Sequence, residues 1–481
     1  MKIFGLNITR SKKKRLKKGY SGANTGNLFS SWNTTATNAD EIIKKDLKAV
    51  RERARDLTRN NDYAKKFMRM VRSNIVGANG IILQNKSKDT NGQLDKQANK
   101  TIETSWNLWC KKGICDVTGK YSFVDVQKLI ISSIARDGEV LVRVVKNFPN
   151  KFGFAVQVLE ADFLDEQFND EKRNISMGIE YDDWDKPVAY HIYKKHPSSL
   201  NTYTFNDRQR IPADEIIHLF LADRPSQNRG ISWFHASLTR LKMLDGYEEA
   251  TLVNARASAA KMGFLQQEGQ DEYVGDDVDS NNNPIVDIEP GTVEIIPKGW
   301  SWQTYDPSQP TAKFAEFEKA ILRGIASGLD VSYNFLANDL ENVNYSSIRT
   351  GVLDERDAWR ELQNWMIKHF LEPVFEKWLE MALLTQALPL PFSKFDKFNA
   401  STWQTRGWAW VDPKKDMESN ILANKQGIKT QAEIVSEQGK DLEDVYSQLA
   451  KEKELREFYG ITTLNDAELI EILGGQDENN E

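Results

Sequence analysis

Apolar positions along this chain follow two periods. From Asp40 they recur every three or four residues in DEIIKKDLKAVRERARDLTRNNDYAKKFMRMVRSNIVG, which predicts helix. Asn60 and Asn61 interrupt the pattern, so two helices are expected, with Gly77 as the stop. Helical spacing returns at 97–112 and 122–136. It then gives way to strand-like runs at Glu139–Val145, Phe154–Leu159, Met177–Tyr181, Val188–Tyr193 and Glu215–Leu221. The first half therefore reads as a mixed α+β body.

Ser232 is placed to cap a helix running to about Met262. Its end is rich in small residues: Ala255, Ala257, Ala259 and Ala260, before Gly263. Small side chains permit close helix packing, although alanine also simply favours helix. Residues 263–307 break into short β-like pieces, Thr292–Ile296 and Gly299–Thr304, among Gly, Pro and Asn. A helix is expected from about Thr311 to Leu329. An Asn- and Asp-rich loop follows, ending at Ser346, a predicted N-cap. Beyond it Ile348, Val352, Trp359, Leu362, Met366, Phe370, Val374 and Trp378 keep helical spacing. Continuous to Leu384, that helix would be about 57 Å long, with a kink at Pro373.

After 385, a segment with Trp403, Trp408 and Trp410 suggests one more strand. From Asp412 the chain turns helical, with Gly427 and Gly439 as separators. Thr430 and Glu433 form a capping-box pattern, and Asp441 is placed to cap a helix through about Phe458. The end, GGQDENNE, reads as disordered, and no internal repeat is visible.

Composition changes this picture in four ways. At 481 residues the chain needs more than one lobe. It has no run of about 18 apolar residues, so no transmembrane helix is expected, and its basic start lacks the apolar stretch of a secretory signal. Two cysteines, Cys110 and Cys115, suit a reducing compartment without a disulfide framework. The net charge of −6 hides a split. Residues 1–39 carry eight bases and no acid, leaving 56 bases against 70 acids in the remainder. The arm holding Lys12, Lys13, Lys14, Arg15, Lys17 and Lys18 suits either a solvated tail or contact with nucleic acid or an acidic neighbour.

Catalytic chemistry is hard to find. A phosphate-binding loop needs four residues between its glycines and then Lys-Ser/Thr. The nearest match, Gly113 to Tyr121, has five between the glycines and a tyrosine at the end. Cys110 and Cys115 have no second ligand pair for zinc, and the five histidines are scattered. Between Lys261 and Lys298 there are nine acids and no base. Their Gly- and Asn-rich setting suits a solvated or docking surface better than a rigid two-metal site. The thirteen tryptophans fit core or subunit contacts better than base stacking. No catalytic residue, metal ligand or cofactor is assigned.

Six segments together resemble the lambda-type portal proteins of tailed bacteriophages. They are YSGAN with Trp32; RARDLTRNNDYAKKFMRMVRSNIVGANGIIL; ISSIARDGEVLVRVV with QVLEADFLD; HLFLADRPSQNRGISWFHASLTRLKMLDGYEEATLVNARASAAKMGFL; SYNFLANDLENVNYSSIR; and WVDPKKDMESNILANKQGIKTQAEIVSEQGKDLEDV. They stand in family order across most of residues 20–450. The chain departs mainly in the acidic insertion around 268–283.

The resemblance implies an α+β portal fold in a ring of typically about twelve subunits at one capsid vertex. It implies an arm and linker at 1–39, a wing at 40–231, stem helices at 232–262 and 311–329, and a clip at 263–310. A tunnel loop at 330–346, a long helix with remaining wing at 347–411, a crown at 412–475 and an acidic tail at 476–481 complete it. Duplex DNA would pass through the channel during packaging and ejection. Other implied partners are the terminase large subunit, major capsid and scaffolding proteins, and a head–tail connector, with no membrane. The chain would reside in the virion, after assembly in the host cytoplasm.

Site expectations follow from that pattern. The tunnel loop would present Asp330, Tyr333, Asn334, Asn338, Asp339, Glu341, Asn342, Asn344 and Tyr345. The sequence has no Lys or Arg between Arg323 and Arg349, which suits a surface that must let phosphates slide. Glu268, Asp271, Glu272, Asp276, Asp277 and Asp279 would form the clip surface for terminase. Ala255, Ala259 and Ala260 would make stem contacts, and the basic arm would meet capsid or scaffold. The competing readings are a nuclease or other DNA-processing enzyme of the same pathway, and a host scaffold protein without a DNA role.

Overall fold

The structure is a computed structural model that describes residues 2–3, 6–7, 37–198, 207–259, 263–267, 300–304, 314–341, 344–409 and 412–460. Strands β1 (Lys2–Ile3) and β2 (Leu6–Asn7) pair within the N-terminal arm. Helices α1 (Ala39–Asn60) and α2 (Asp62–Val71) break where expected, because Asn61 leaves helical geometry and its side chain accepts from Ala64 N. A π-turn, Arg72–Val76, then ends at Gly77, whose φ of 75° suits glycine. Next come β3 (Ile82–Asn85), α3 (Lys96–Trp109) and α4 (Phe123–Asp137). Ser122 and Asp125 cap α4 reciprocally.

Two antiparallel sheets follow. Strands β4 (Glu139–Lys146) and β5 (Phe154–Leu159) belong to one; β6 (Ile175–Ser176), β7 (Ile179–Tyr181), β8 (Pro187–Tyr193) and β9 (Arg208–Pro212) make the other. Strand β10 (Ile216–Phe220) returns to the first, giving the order β10-β4-β5 with Leu141 opposite both His218 and Leu159. Leu141, Leu159, Ile179, Tyr190, Ile192 and Ile211 form the small apolar core between the sheets.

Helix α5 (Leu238–Ala259) starts six residues after the expected cap. Ser232 Oγ accepts from Phe234 N and donates to Ala135 O, so it ties a turn to α4 instead of opening a helix. Strands β11 (Gly263–Gln267) and β12 (Trp300–Thr304) pair antiparallel, with Gly263 opposite Thr304. The expected strand at 292–296 lies outside the described residues. Helix α6 (Phe314–Gly328) runs back beside α5, and a short α7 (Tyr333–Ala337) lies within the predicted loop.

The long helix begins at Tyr345, so Ser346 falls inside its first turn rather than capping it. It comprises α8 (Tyr345–Met366), a π-turn (Ile367–Leu371) and α9 (Glu372–Leu384). Pro373 sits at the start of α9, where the wider turn before it accommodates the missing N–H. The short α10 (Phe395–Phe398) leads to β13 (Ser401–Gln404), which pairs with β3. Trp403 is in that strand, whereas Trp408 lies beyond it and Trp410 lies outside the described residues. Helices α11 (Pro413–Lys425), α12 (Gln431–Glu437) and α13 (Leu442–Tyr459) are capped by Asp412, Thr430 and Asp441, the last two as expected. The final residues, GGQDENNE included, lie outside the described residues.

Aromatic packing joins the long helix to the first half. Trp106 meets Trp109, Trp378, Phe123, Phe375 and Trp403 at centroid separations of 4.8–5.8 Å. The Trp109 indole N–H donates to Phe154 O at 2.9 Å, linking α3 to β5. Cys110 and Cys115 are free thiols. Trp106→Ala should cost about 3–5 kcal/mol by leaving a cavity at this junction, seen as a lower chemical-denaturation midpoint with the far-ultraviolet signal of the native state retained.

Candidate functional site

The predicted tunnel segment begins where α6 ends. Asp330 and Asn338 both take left-handed backbone, with φ of 54°, so the chain turns sharply on either side of α7. Leu336 anchors that helix in the main core. Ser332 N donates to Glu355 on α8 at 3.3 Å, and Glu355 also accepts from the Trp359 indole. A segment that looks like an open loop in sequence is therefore folded back between α2, α6 and α8.

Two of its three carboxylates, Asp339 and Glu341, are paired. Asp339 accepts from the Tyr333 hydroxyl at 2.6 Å and from Glu341 N at 3.1 Å, and meets Lys319 at 3.0 Å. The Tyr333 hydrogen bond, then the one from Lys319, lowers the Asp339 carboxyl to about 2. Burial, then the same bond to Asp339, pushes Tyr333 up to about 12. Lys319 also reaches Glu341 at 3.5 Å. Lys66 on α2 donates to Asn338 Oδ1 at 2.6 Å, and Arg323 lies 5.3 Å from the Tyr333 ring centre. The sequence has no base in this stretch, but neighbouring helices supply three. That corrects the electrostatic expectation: Asp339 and Glu341 are ion-paired.

Asp330, Asn338, Glu341 and Asn344 remain exposed, with Tyr333 and Asn334 half-buried. Asn342 and the Tyr345 side chain lie outside the described residues. So do Glu268, Asp271, Glu272, Asp276, Asp277, Asp279, Lys12, Lys13, Lys14, Arg15, Lys17, Lys18 and Ala260, and the side chain of Ala259. Ala255 is exposed. Close approach of α5 and α6 instead comes from glycines on α6. A Cβ at Gly328 would lie 2.3 Å from Ser237 Oγ, and one at Gly324 2.6 Å from Arg240 Nη1. Arg240 donates to Gly324 O at 2.9 Å, and Tyr247 stacks on Phe314 at 5.6 Å.

Sequence reasoning missed the buried charge cluster that positions these elements. Glu139, at the start of β4, is fully buried. Arg229 Nε lies 2.9 Å from both its oxygens, Arg51 Nη2 3.0 Å away, and His218 Nε2 3.1 Å away. Gly230 N also donates to it at 3.0 Å. Burial alone would raise the Glu139 carboxyl, but the Arg229 charge and the His218 and Arg229 hydrogen bonds hold it well below the usual carboxylate range. The one available signal was an acid opening a strand whose next three residues, Val140, Leu141 and Val142, are apolar.

Among the described residues, Glu160, Asp162 and His196 bring possible metal-ligand atoms within 4.8 Å of one another. Arg55 already ion-pairs with Asp162 and approaches Glu160 to 3.9 Å, so a guanidinium holds this place.

Elsewhere apolar side chains lie open. On α5 Met243, Leu252 and Val253 are 57–67% exposed, and on α13 Leu455, Phe458 and Tyr459 are 55–80% exposed. No helix among the described residues is long and apolar enough to cross a membrane.

A mixed helix/strand body, a helix pair joined by paired strands, and exposed apolar side chains on α5 and α13 describe a multi-lobed chain. The chain belongs to the lambda family of phage portal proteins, matching that family over residues 25–363. It is 39% identical over 439 residues to the probable portal protein of Halomonas phage phiHAP-1, covering 88% of this chain and 84% of that one. It is 22% identical over 484 residues to portal protein B of Escherichia phage lambda, covering 92% and 91% respectively. It is also similar to a chain from the neck of an empty GTA particle computed with C6 symmetry, at TM-score 0.44, 13% identity and coverage of 82% and 93%.

A carboxylate lowered by folding adds stability above its unfolded value of about 4.3, and that contribution is lost as pH falls toward the folded value. Glu139→Gln, which strands Arg229, should therefore be about 3–5 kcal/mol less stable at pH 7. The gap from the parent should narrow below about pH 4, as urea denaturation across pH 3–7 would record.

Proposed function

We propose that this chain forms a closed ring at one capsid vertex, through which duplex DNA is packaged and later leaves. The observation that carries this reading is the set of uncovered apolar side chains on α5 and α13 in a member of the portal family. Leu455, Phe458 and Tyr459 lie on one face of α13, and isolated monomers rarely leave such a patch to water; a head-to-tail interface that closes gives a ring. In this reading α5 and α6 are the stem, and β11–β12 open the clip that receives terminase and later the head–tail connector. The segment 330–346 lines the channel, α8–α9 brace the wing, and α11–α13 form the crown. The basic arm contacts capsid or scaffolding protein, and the ring moves from host cytoplasm into the virion. No catalytic step is assigned to the chain.

The charge pairing in the tunnel segment refines how DNA would be handled. Lys319 offsets part of the negative charge of Asp339 and Glu341. The surface is then closer to neutral than its sequence suggests, and it neither grips nor strongly repels phosphate. Exposed Asn338 and Asn344 offer transient polar contacts.

Native mass measurement and negative-stain averages of the purified chain test the assembly. Rings with a central hole are expected; a stable monomer or dimer would sink the reading. Asn338→Lys should leave rings intact but lower packaged DNA about tenfold or more, because a third ammonium would join Lys66 and Lys319 beside the channel. Asn338→Gly, which keeps the left-handed turn without charge, should package normally. Equal packaging by the lysine variant would remove the segment from the DNA path.

A further inference from the structure

The chain has a second place suited to phosphate, which sequence reasoning did not single out. It lies where α8, the segment after β13, and helices α11 and α12 meet. Trp408 is its centre. The guanidinium carbons of Arg356, Arg360 and Arg406 lie 5.8, 5.6 and 5.6 Å from the indole centre. Three like charges around one ring repel one another and are tolerable only with the ring's negative face, water or an anion nearby. A cavity of about 200 Å³ opens here, bordered also by Arg349 and Lys429. A second, of about 330 Å³, adjoins it and shares Arg360, Trp408 and Glu437.

The acids present are already engaged. Asp416 pairs with Arg349 at 2.7 Å, Glu437 with Lys429 at 2.8 Å, and Asp357 with Arg360 at 2.7 Å. Arg356 donates to the carbonyl of Ala409 at 3.2 Å. Arg406 reaches Asn74 Oδ1, at 2.7 Å, and the carbonyl of Ser73. Neither has a carboxylate partner among the described residues. Burial, then the charges of Arg360 and Arg406, disfavours the protonated form of Arg356. A bound anion would reverse that penalty.

We propose that this arginine–tryptophan pocket binds a backbone phosphate of duplex DNA. The choice of arginine matters, because a planar guanidinium stacked on an indole still presents N–H edges for bidentate contact with phosphate oxygens. The cavity holds a phosphate with part of its sugar, and a groove lined by donors and one aromatic face reads backbone rather than bases. The inference rests on the reading that this chain handles DNA, and it adds a holding site apart from the near-neutral tunnel segment. Arg406 also packs against Gly77 and ties down Asn74, so it positions as well as binds. Arg356 and Arg360 are the better probes.

Intact rings of the full chain are titrated with a fluorescent 20-base-pair duplex over a range of NaCl. Arg356→Gln/Arg360→Gln should bind on the order of tenfold more weakly at low salt. Its plot of log affinity against log salt should be shallower by about 2, one for each lost phosphate contact. Arg360→Gln alone, at an exposed position, should lose about half of that slope and decides the matter if the double variant does not assemble. Inorganic phosphate should displace the duplex only at much higher concentration, since it makes one contact where DNA makes several. Unchanged affinity and slope would overturn the pocket while leaving ring images, and hence the portal reading, untouched. Displacement by polyglutamate peptide at lower concentration than by unlabelled duplex would also overturn it, assigning the pocket to an acidic protein segment.

Discussion

A single buried carboxylate holds the two-sheet body of this protein together. Glu139 begins the central strand β4 and takes hydrogen bonds or ion pairs from Arg229, Arg51, His218 and the amide of Gly230. Those partners come from the segment before α5, from α1 and from β10. The backbone at this point has no slack. Gly138 has a φ of 93°, and a Cβ there would lie 2.5 Å from the carbonyl carbon of Ile231. A Cβ at Gly230 would lie 2.2 Å from Gly138 O. Two glycine-containing turns thus cross in contact, with the charge cluster locking their register. A buried ion pair is seldom a large net gain in stability, but removing one partner is costly. Its effect here is to accept only one arrangement of four chain segments.

That lock matters because the stem reading depends on it. Helix α5 leaves the two-sheet body nine residues after Arg229, so the direction in which it leaves is set by the crossing turns. Arg51 extends the network to Asp162, and Arg55 joins Asp137 to Asp162. Helix α1 is thereby fixed to the end of α4 and to the loop after β5. At the other end of the body, Trp106 and its neighbours clamp α9 against α3. The described residues 330–341 are held between two anchored helix systems, α6 beside α5 and α8 continuous with α9. Their position is inherited from the body of the chain rather than generated locally.

Local signals in the sequence carried much of this architecture. Asn61, Ser122, Asp412, Thr430 and Asp441 each cap a helix by a short-range hydrogen bond, and short-range chemistry can be read from neighbouring letters. Five strands of the two sheets were legible by their apolar runs; β6, two residues long, and β9, with Arg208 and Arg210, were not. Ser232 misled because its hydroxyl found Ala135 O, 97 residues away, so tertiary contact displaced the local cap. The glycines of α6 were invisible as packing devices, since nothing in their own segment announces that Ser237 and Arg240 approach them. The segments ISSIARDGEVLVRVV and HLFLADRPSQNRGISWF could be quoted separately as family resemblance. Only the fold reveals that they form one buried contact.

Charge was the hardest property to read along the chain. The absence of Lys and Arg between Arg323 and Arg349 is true of the sequence, yet Lys66, Lys319 and Arg323 surround the segment in space. The opposite holds at Trp408. There Arg356, Arg360 and Arg406 stand up to 50 residues apart, with acids interspersed, and the letters suggest an ordinary solvated face. Folding gathers the bases at one indole while Asp357, Asp416 and Glu437 are drawn into pairs of their own. A protein that conducts DNA has to be weakly charged where the polymer slides, and gains from positive charge only where it is held. In the proposed reading one folding event serves both conditions, by placing Lys319 beside the acidic segment and by leaving Arg356 and Arg406 without carboxylate partners among the described residues.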